Sequence, residues 1–221
     1  MERSKSIILA TDASGAVRAA EEGFGIMVVD VIDMSTTLEA ALDAGAYKVF
    51  GASPDFTRAP VRVDPERIGK EAGYAARQKG VGIIVVSEPR VGTDDERLQR
   101  CQKLMRGLNS EEVVIEAVIP NLGAETAKLV DFRDRVVVAV TDTGGVAFDA
   151  AYQVTDQVVT GTVARTMVQK GIEPARTAAK RGIELMYKSS GGLAVVAASR
   201  NSQEDILAAQ YIIDLIKREI G

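Results

Sequence analysis

Histidine and tryptophan are absent from this chain of 221 residues, and cysteine occurs once. Without histidine, Ser-His-Asp and Cys-His catalysis, phosphohistidine intermediates and imidazole metal ligands are excluded. Carboxylates, hydroxyls, lysine, arginine, backbone amides and hard cations remain available. A hard cation among oxygen ligands points to magnesium if a metal is used. The lone Cys101 excludes an internal disulfide and a cysteine-rich zinc site, and its polar, helical surroundings make it structural. No apolar run approaches the roughly 20 residues of a membrane span. The first residues, MERSKS, lack the apolar core of a secretory signal. The expectation is a cytoplasmic protein with no membrane partner. Long basic runs are also missing and the net charge is −4, which argues against nucleic acid as the main ligand.

What is present is an ordinary core composition, 46% hydrophobic and 26% charged. A chain of this length buries about 70% of its unfolded surface, so one domain over 1–221 needs no disulfide or structural metal. Short Val/Ile-rich runs fall at 6–13, 25–31, 46–52, 82–88, 112–118, 135–141, 157–163 and 193–199. Most are continuous rather than alternating, as in strands covered on both faces. Helical patterns intervene at 36–45, 65–80, 94–108, 175–188 and 204–221, and another begins after Gly145. Gly45, Gly80 and Gly107 sit where helix ends are expected. This order predicts an α/β fold, a mostly parallel sheet with helices on both faces in three layers. The loop 52–65, with three prolines, is the longest break and a candidate lid. An acidic α/β domain of this size is also a candidate for self-association as a homo-oligomer.

Open parallel sheets bind ligands at the carboxyl ends of their strands. Three such ends carry polar turns. In VVDVIDMSTTLEAALDAG, Asp30 and Asp33 precede Ser35, Thr36 and Thr37. A helix N-terminus with hydroxyls suits a phosphate, and an adjacent carboxylate suits magnesium. The same residues also fit a plain helix start, with Thr36 and Glu39 as a capping box. In VVVAVTDTGGVAFDAA, Thr141, Asp142, Thr143, Gly144 and Gly145 lead into a helix, where paired glycines allow close backbone approach. That turn is neither a Walker loop nor a dinucleotide fingerprint, and a tight strand-to-helix turn explains it equally well. In AASRNSQEDILAAQ, Arg200 is a fixed cation at a strand end, followed by Ser202 as an N-cap and by Glu204 and Asp205 in the first turn. The spacing of Asp30 and Asp33 does not match the D-x-D of aspartyl phosphatases.

Taken in order, these stretches resemble the 2-phosphosulfolactate phosphatase family, the ComB type of coenzyme M biosynthesis. The segments VVDVIDMSTTLEAALDAGA, NLGAET, VVVAVTDTGGVAFDAA, QVVTGTVAR and LAVVAASRNSQEDILAAQYIIDLI stand in the places of that family's motifs, from about residue 26 to 218. Asp33 stands where the family has an arginine, Ala124 to Thr126 replace an N-S-P element, and Thr143 replaces an asparagine. The resemblance implies a magnesium-dependent phosphatase of a small phosphorylated 2-hydroxy acid. Asp30 and Asp142 would be the catalytic carboxylates. Ser35, Thr36, Thr37, Thr141, Thr143, Gly144, Gly145 and Arg200 would hold the substrate. Asp30, Asp142, Glu204 and Asp205 would be available to Mg2+. The other expectations are a regulatory relative that binds a small anion without turnover, and a different phospho-metabolite enzyme on the same scaffold.

Overall fold

A computed structural model describes residues 5–221. Among the described residues there are eight strands: β1 (Ser6–Thr11), β2 (Phe24–Val29), β3 (Lys48–Ala52), β4 (Ile83–Ser87), β5 (Ile115–Pro120), β6 (Val136–Val140), β7 (Val158–Gly161) and β8 (Gly192–Ala197). They alternate with α1 (Asp12–Glu21), α2 (Met34–Asp43), α3 (Pro65–Lys79), α4 (Asp94–Gln99), α5 (Gln102–Asn109), α6 (Gly144–Tyr152), α7 (Glu173–Lys188) and α8 (Gln203–Ile220). A 3-10 turn at Gly123–Lys128 joins β5 to β6. Every strand pair is parallel, as expected of β-α-β order. The strands divide into two four-stranded sheets, in the orders β1-β8-β2-β7 and β3-β6-β4-β5. Helices flank both.

Burial follows the pleat even where the sequence shows no alternation. In β2, Ile26 and Val28 join a core cluster with α1 and α6, while Met27 and Val29 join a second with α7 and α8. Helices α2 and α6 each contact strands of both sheets and so bridge them. This explains why residues 34–41 and all of 144–152 are buried on every side. The edge strands β3 and β7 are not hydrogen-bonded to each other. Both line one cavity of about 200 Å3, with Leu42, Phe148 and Arg181.

Caps set several boundaries. Asp64 accepts the amide of Arg67, Pro65 opens α3, and Gly80 ends it in the left-handed region at φ 72°. Thr93 and Glu96 form a capping box for α4. The helix expected at 94–108 is broken at Arg100 and Cys101 because the Asp55 carboxylate accepts the amides of Gln102 and Lys103, starting a new helix there. Gly107 lies inside α5 rather than at its end. A Cβ there would run into the Glu66 carbonyl oxygen, so this glycine serves the close approach of α3 and α5.

Candidate functional site

The carboxyl ends of β1, β6 and β8 open onto one cavity of about 270 Å3, and residues 57–60 supply another of its walls. Asp12 follows β1, Asp142 and Thr143 follow β6, Ser199 to Asn201 follow β8, and Arg58 comes from the loop. Strands of both sheets therefore contribute. The cations and acids are interleaved. Arg200 pairs with Asp12 at 2.5 Å, and Arg100 pairs with Asp142 at 2.5 Å. Arg58 is exposed and makes no ion pair among the described residues.

Asp12 adopts φ 54°, a conformation that aspartate tolerates better than most residues. Its Oδ1 accepts the amides of Ser14 and Gly15 in the first turn of α1, and its Oδ2 faces Arg200. One carboxylate thus fixes the start of a helix and aims an arginine.

Behind the cavity, Asp30 is almost fully buried and its oxygens are occupied. Oδ2 accepts the Thr143 hydroxyl at 2.9 Å and the Gly144 amide at 2.7 Å, and Oδ1 accepts the Asp33 amide at 3.1 Å. Burial pushes the Asp30 pKa up, and these donors oppose that rise. The Gly145 amide donates to the Thr141 hydroxyl at 2.8 Å. The first amides of α6 are therefore taken by Asp30 and Thr141, the places an anion would otherwise fill. A Cβ at Gly144 would strike the Asp30 carboxylate, which explains the glycine.

The hydroxyl run faces inward. Ser35 Oγ donates to the Val28 carbonyl and accepts the Asp30 amide, both at 2.9 Å. Thr36 Oγ1 donates to the Val31 carbonyl and shares a hydrogen bond with Thr162. Thr37 donates to Asn121 at 2.5 Å. All three are buried. The expected capping box of Thr36 with Glu39 does not form. Helix α2 starts three residues before Thr37, at Met34, and Glu39 is a buried ion-pair partner of Arg181. The Asn121 side-chain nitrogen is buried with no hydrogen-bond partner among the described residues.

Ser202 caps α8 as expected, accepting the Asp205 amide at 3.2 Å. Glu204 is exposed in that first turn and does not line the cavity. The buried Asp205 accepts the Val31 amide at 2.9 Å. Burial, and then the charge of Asp30, lift its pKa to about 6. Asp33, standing where the resembled family has arginine, pairs with Arg90 at 2.6 Å, so an arginine side chain reaches that turn from elsewhere in the chain.

The structure thus brings Asp142, Thr143 and Arg200 together at one cavity, with Asp30 immediately behind. It sets Ser35, Thr36, Thr37, Thr141 and Gly145 into supporting hydrogen bonds or packing. Among the described residues, no group of three or more acidic or thiol side chains is arranged to hold a metal ion. The Asp30 oxygens are filled by N–H and O–H donors, Asp142 faces Arg100, and Glu204 points elsewhere, so this donor set does not fit a resident Mg2+. Arg58, Arg100 and Asp12 were not singled out from sequence. Asp12 stands at the end of the first strand run and shares the strand-end signal of the others. Arg58 lies inside the loop marked as a lid. Nothing in the pattern of residues 94–108 marks Arg100.

No protein-family model matches the chain, and no curated protein matches it. No helix among the described residues is long and apolar enough to cross a membrane.

Proposed function

We infer that this protein is a phosphatase-like hydrolase of a small phosphorylated acid, of the 2-hydroxy type that the 2-phosphosulfolactate phosphatase resemblance implies. One observation carries the reading: a cavity of about 270 Å3, at the carboxyl ends of parallel strands, sets Arg58 and Arg200 beside the exposed carboxylate of Asp142. Two guanidinium groups suit the two anionic ends of such a substrate. Thr143 adds a hydroxyl at the same wall.

In this reaction a water oxygen forms the new bond to phosphorus as the bond to the alkyl oxygen breaks. Asp142 takes the proton from the attacking water and returns it to the leaving alkoxide. Arg100 aims Asp142, Arg58 stabilises charge on the phosphoryl oxygens, and Arg200 orients the acid group at the far end. Asp30 acts from behind, holding Thr143 and the start of α6 in place. No step is assigned to magnesium, because the carboxylates do not converge on it.

A second reading is favoured by the α6 amides already being filled and Arg200 already being paired: a relative that binds a small anion without turning it over. Phosphate release from a panel of phosphorylated 2-hydroxy acids, 2-phosphosulfolactate included, separates the two. Assays run with magnesium and with EDTA also measure whether an added ion matters. Release is expected, with Asp142→Asn slowing it by about 10²-fold or more and Arg200→Ala acting mainly on KM. Absence of release from every compound, with ligands still raising the melting temperature, would select the binding protein.

A further inference from the structure

Asp149 lies within α6, fully buried, and has no role in the proposed reaction. A buried carboxylate is costly unless donors fill its oxygens. Oδ2 accepts the Ser53 amide at 3.2 Å and the Ser53 hydroxyl at 2.6 Å. Oδ1 accepts the Asp64 amide and the Gln153 side-chain amide, each at 2.8 Å. All four donors are neutral, and three of them come from the two residues that bracket the loop 54–63. That loop carries Arg58 to the cavity wall. Its middle is also seated, because Ala59, Val61 and Val63 pack on Ala13, Val146 and Ala150.

We propose that Asp149 is a positioning residue for the anion site: its carboxylate clasps both ends of the loop, so that Arg58 is held over the cavity as a fixed wall and not as a moving lid. The clasp itself is independent of the chemistry, whereas its role in positioning rests on the cavity being an anion site. Asn at this position offers one acceptor oxygen where Asp offers two, so it can hold only one end of the loop.

The test uses the full chain. Residue-resolved amide hydrogen exchange is measured for the wild type, Asp149→Asn and Ser53→Ala. In Asp149→Asn, the amide at the end of the loop that loses its acceptor, residue 53 or residue 64, is expected to exchange about tenfold or more faster, while β6 keeps its protection. Ser53→Ala removes only the hydroxyl contact and should raise exchange at residue 53 alone, which keeps the clasp testable if Asp149→Asn does not fold. Unchanged exchange at both residue 53 and residue 64 in Asp149→Asn, with residue 53 also unchanged in Ser53→Ala, overturns the clasp. Inorganic phosphate is then titrated into the wild type, Asp149→Asn, Arg58→Ala and the double variant. A several-fold loss of affinity that disappears in the Arg58→Ala background supports positioning through Arg58, and equal losses in both backgrounds overturn it. A wild type that binds no phosphate refutes the anion site, and with it the positioning role, while the exchange result still decides the clasp.

Discussion

Asp205 is a residue whose charge the fold resists. Its pKa is lifted to about 6, first by burial and also by the charge of Asp30. A carboxyl raised in the folded state contributes stability that is fully present below its unfolded value, near 3.8, and is lost as pH rises through about 6. Asp205→Asn keeps an acceptor for the Val31 amide but carries no charge at any pH. Its melting temperature should therefore gain on that of the wild type between pH 4 and pH 7. A difference that stays constant over that range would refute the assignment. At this same scale the sequence was readable in part. Asp142, Thr143 and Arg200 were legible because strand ends are where ligands sit. The inward turn of Ser35, Thr36 and Thr37 was not, because a hydroxyl serves an internal carbonyl as readily as a phosphate oxygen. Its partners, Val28, Thr162 and Asn121, are fixed only by tertiary structure.

Among the elements, the eight strand runs and most helices follow from apolar runs, caps and breakers. Helix α1 was missed because the chain passes from Thr11 directly into the helix at Asp12, with no loop to punctuate DASGAVRAAE. The break between α4 and α5 was hidden because its cause, Asp55, lies 47 residues before Gln102. Gly107 reads locally as a helix end but is required by its neighbour α3. Gly107→Ala should therefore destabilise the protein by about 1–3 kcal/mol, although alanine is the better helix former. Chemical denaturation gives the value, and a neutral or stabilising change would show that α3 and α5 can separate at little cost.

For the molecule as a whole, parallel topology was legible but the division into two sheets was not. Strand pairing such as β1 with β8 joins the two ends of the chain, and no local pattern encodes it. Because α2 and α6 contact both sheets, the larger core cluster runs through the two of them, and only the α7 and α8 side of the first sheet has a cluster of its own. The protein should unfold in a single transition, with fluorescence and circular dichroism coinciding. Phe148 stacks on Tyr152, with ring centroids 6.0 Å apart, and lines the cavity between β3 and β7. Phe148→Ala should lower the whole transition by about 3–5 kcal/mol without splitting it. A split into two steps would mean that the sheets fold independently.

That cavity also bears on how the protein would yield under hydrostatic pressure. Compression favours states that surrender empty volume, and close-packed strands have little to surrender. The gap of about 200 Å3 between β3 and β7 is crossed by side chains and by no ladder of backbone hydrogen bonds. Water forced into the molecule can enter along this line without breaking a strand ladder, which makes the junction of the two sheets a compressible region.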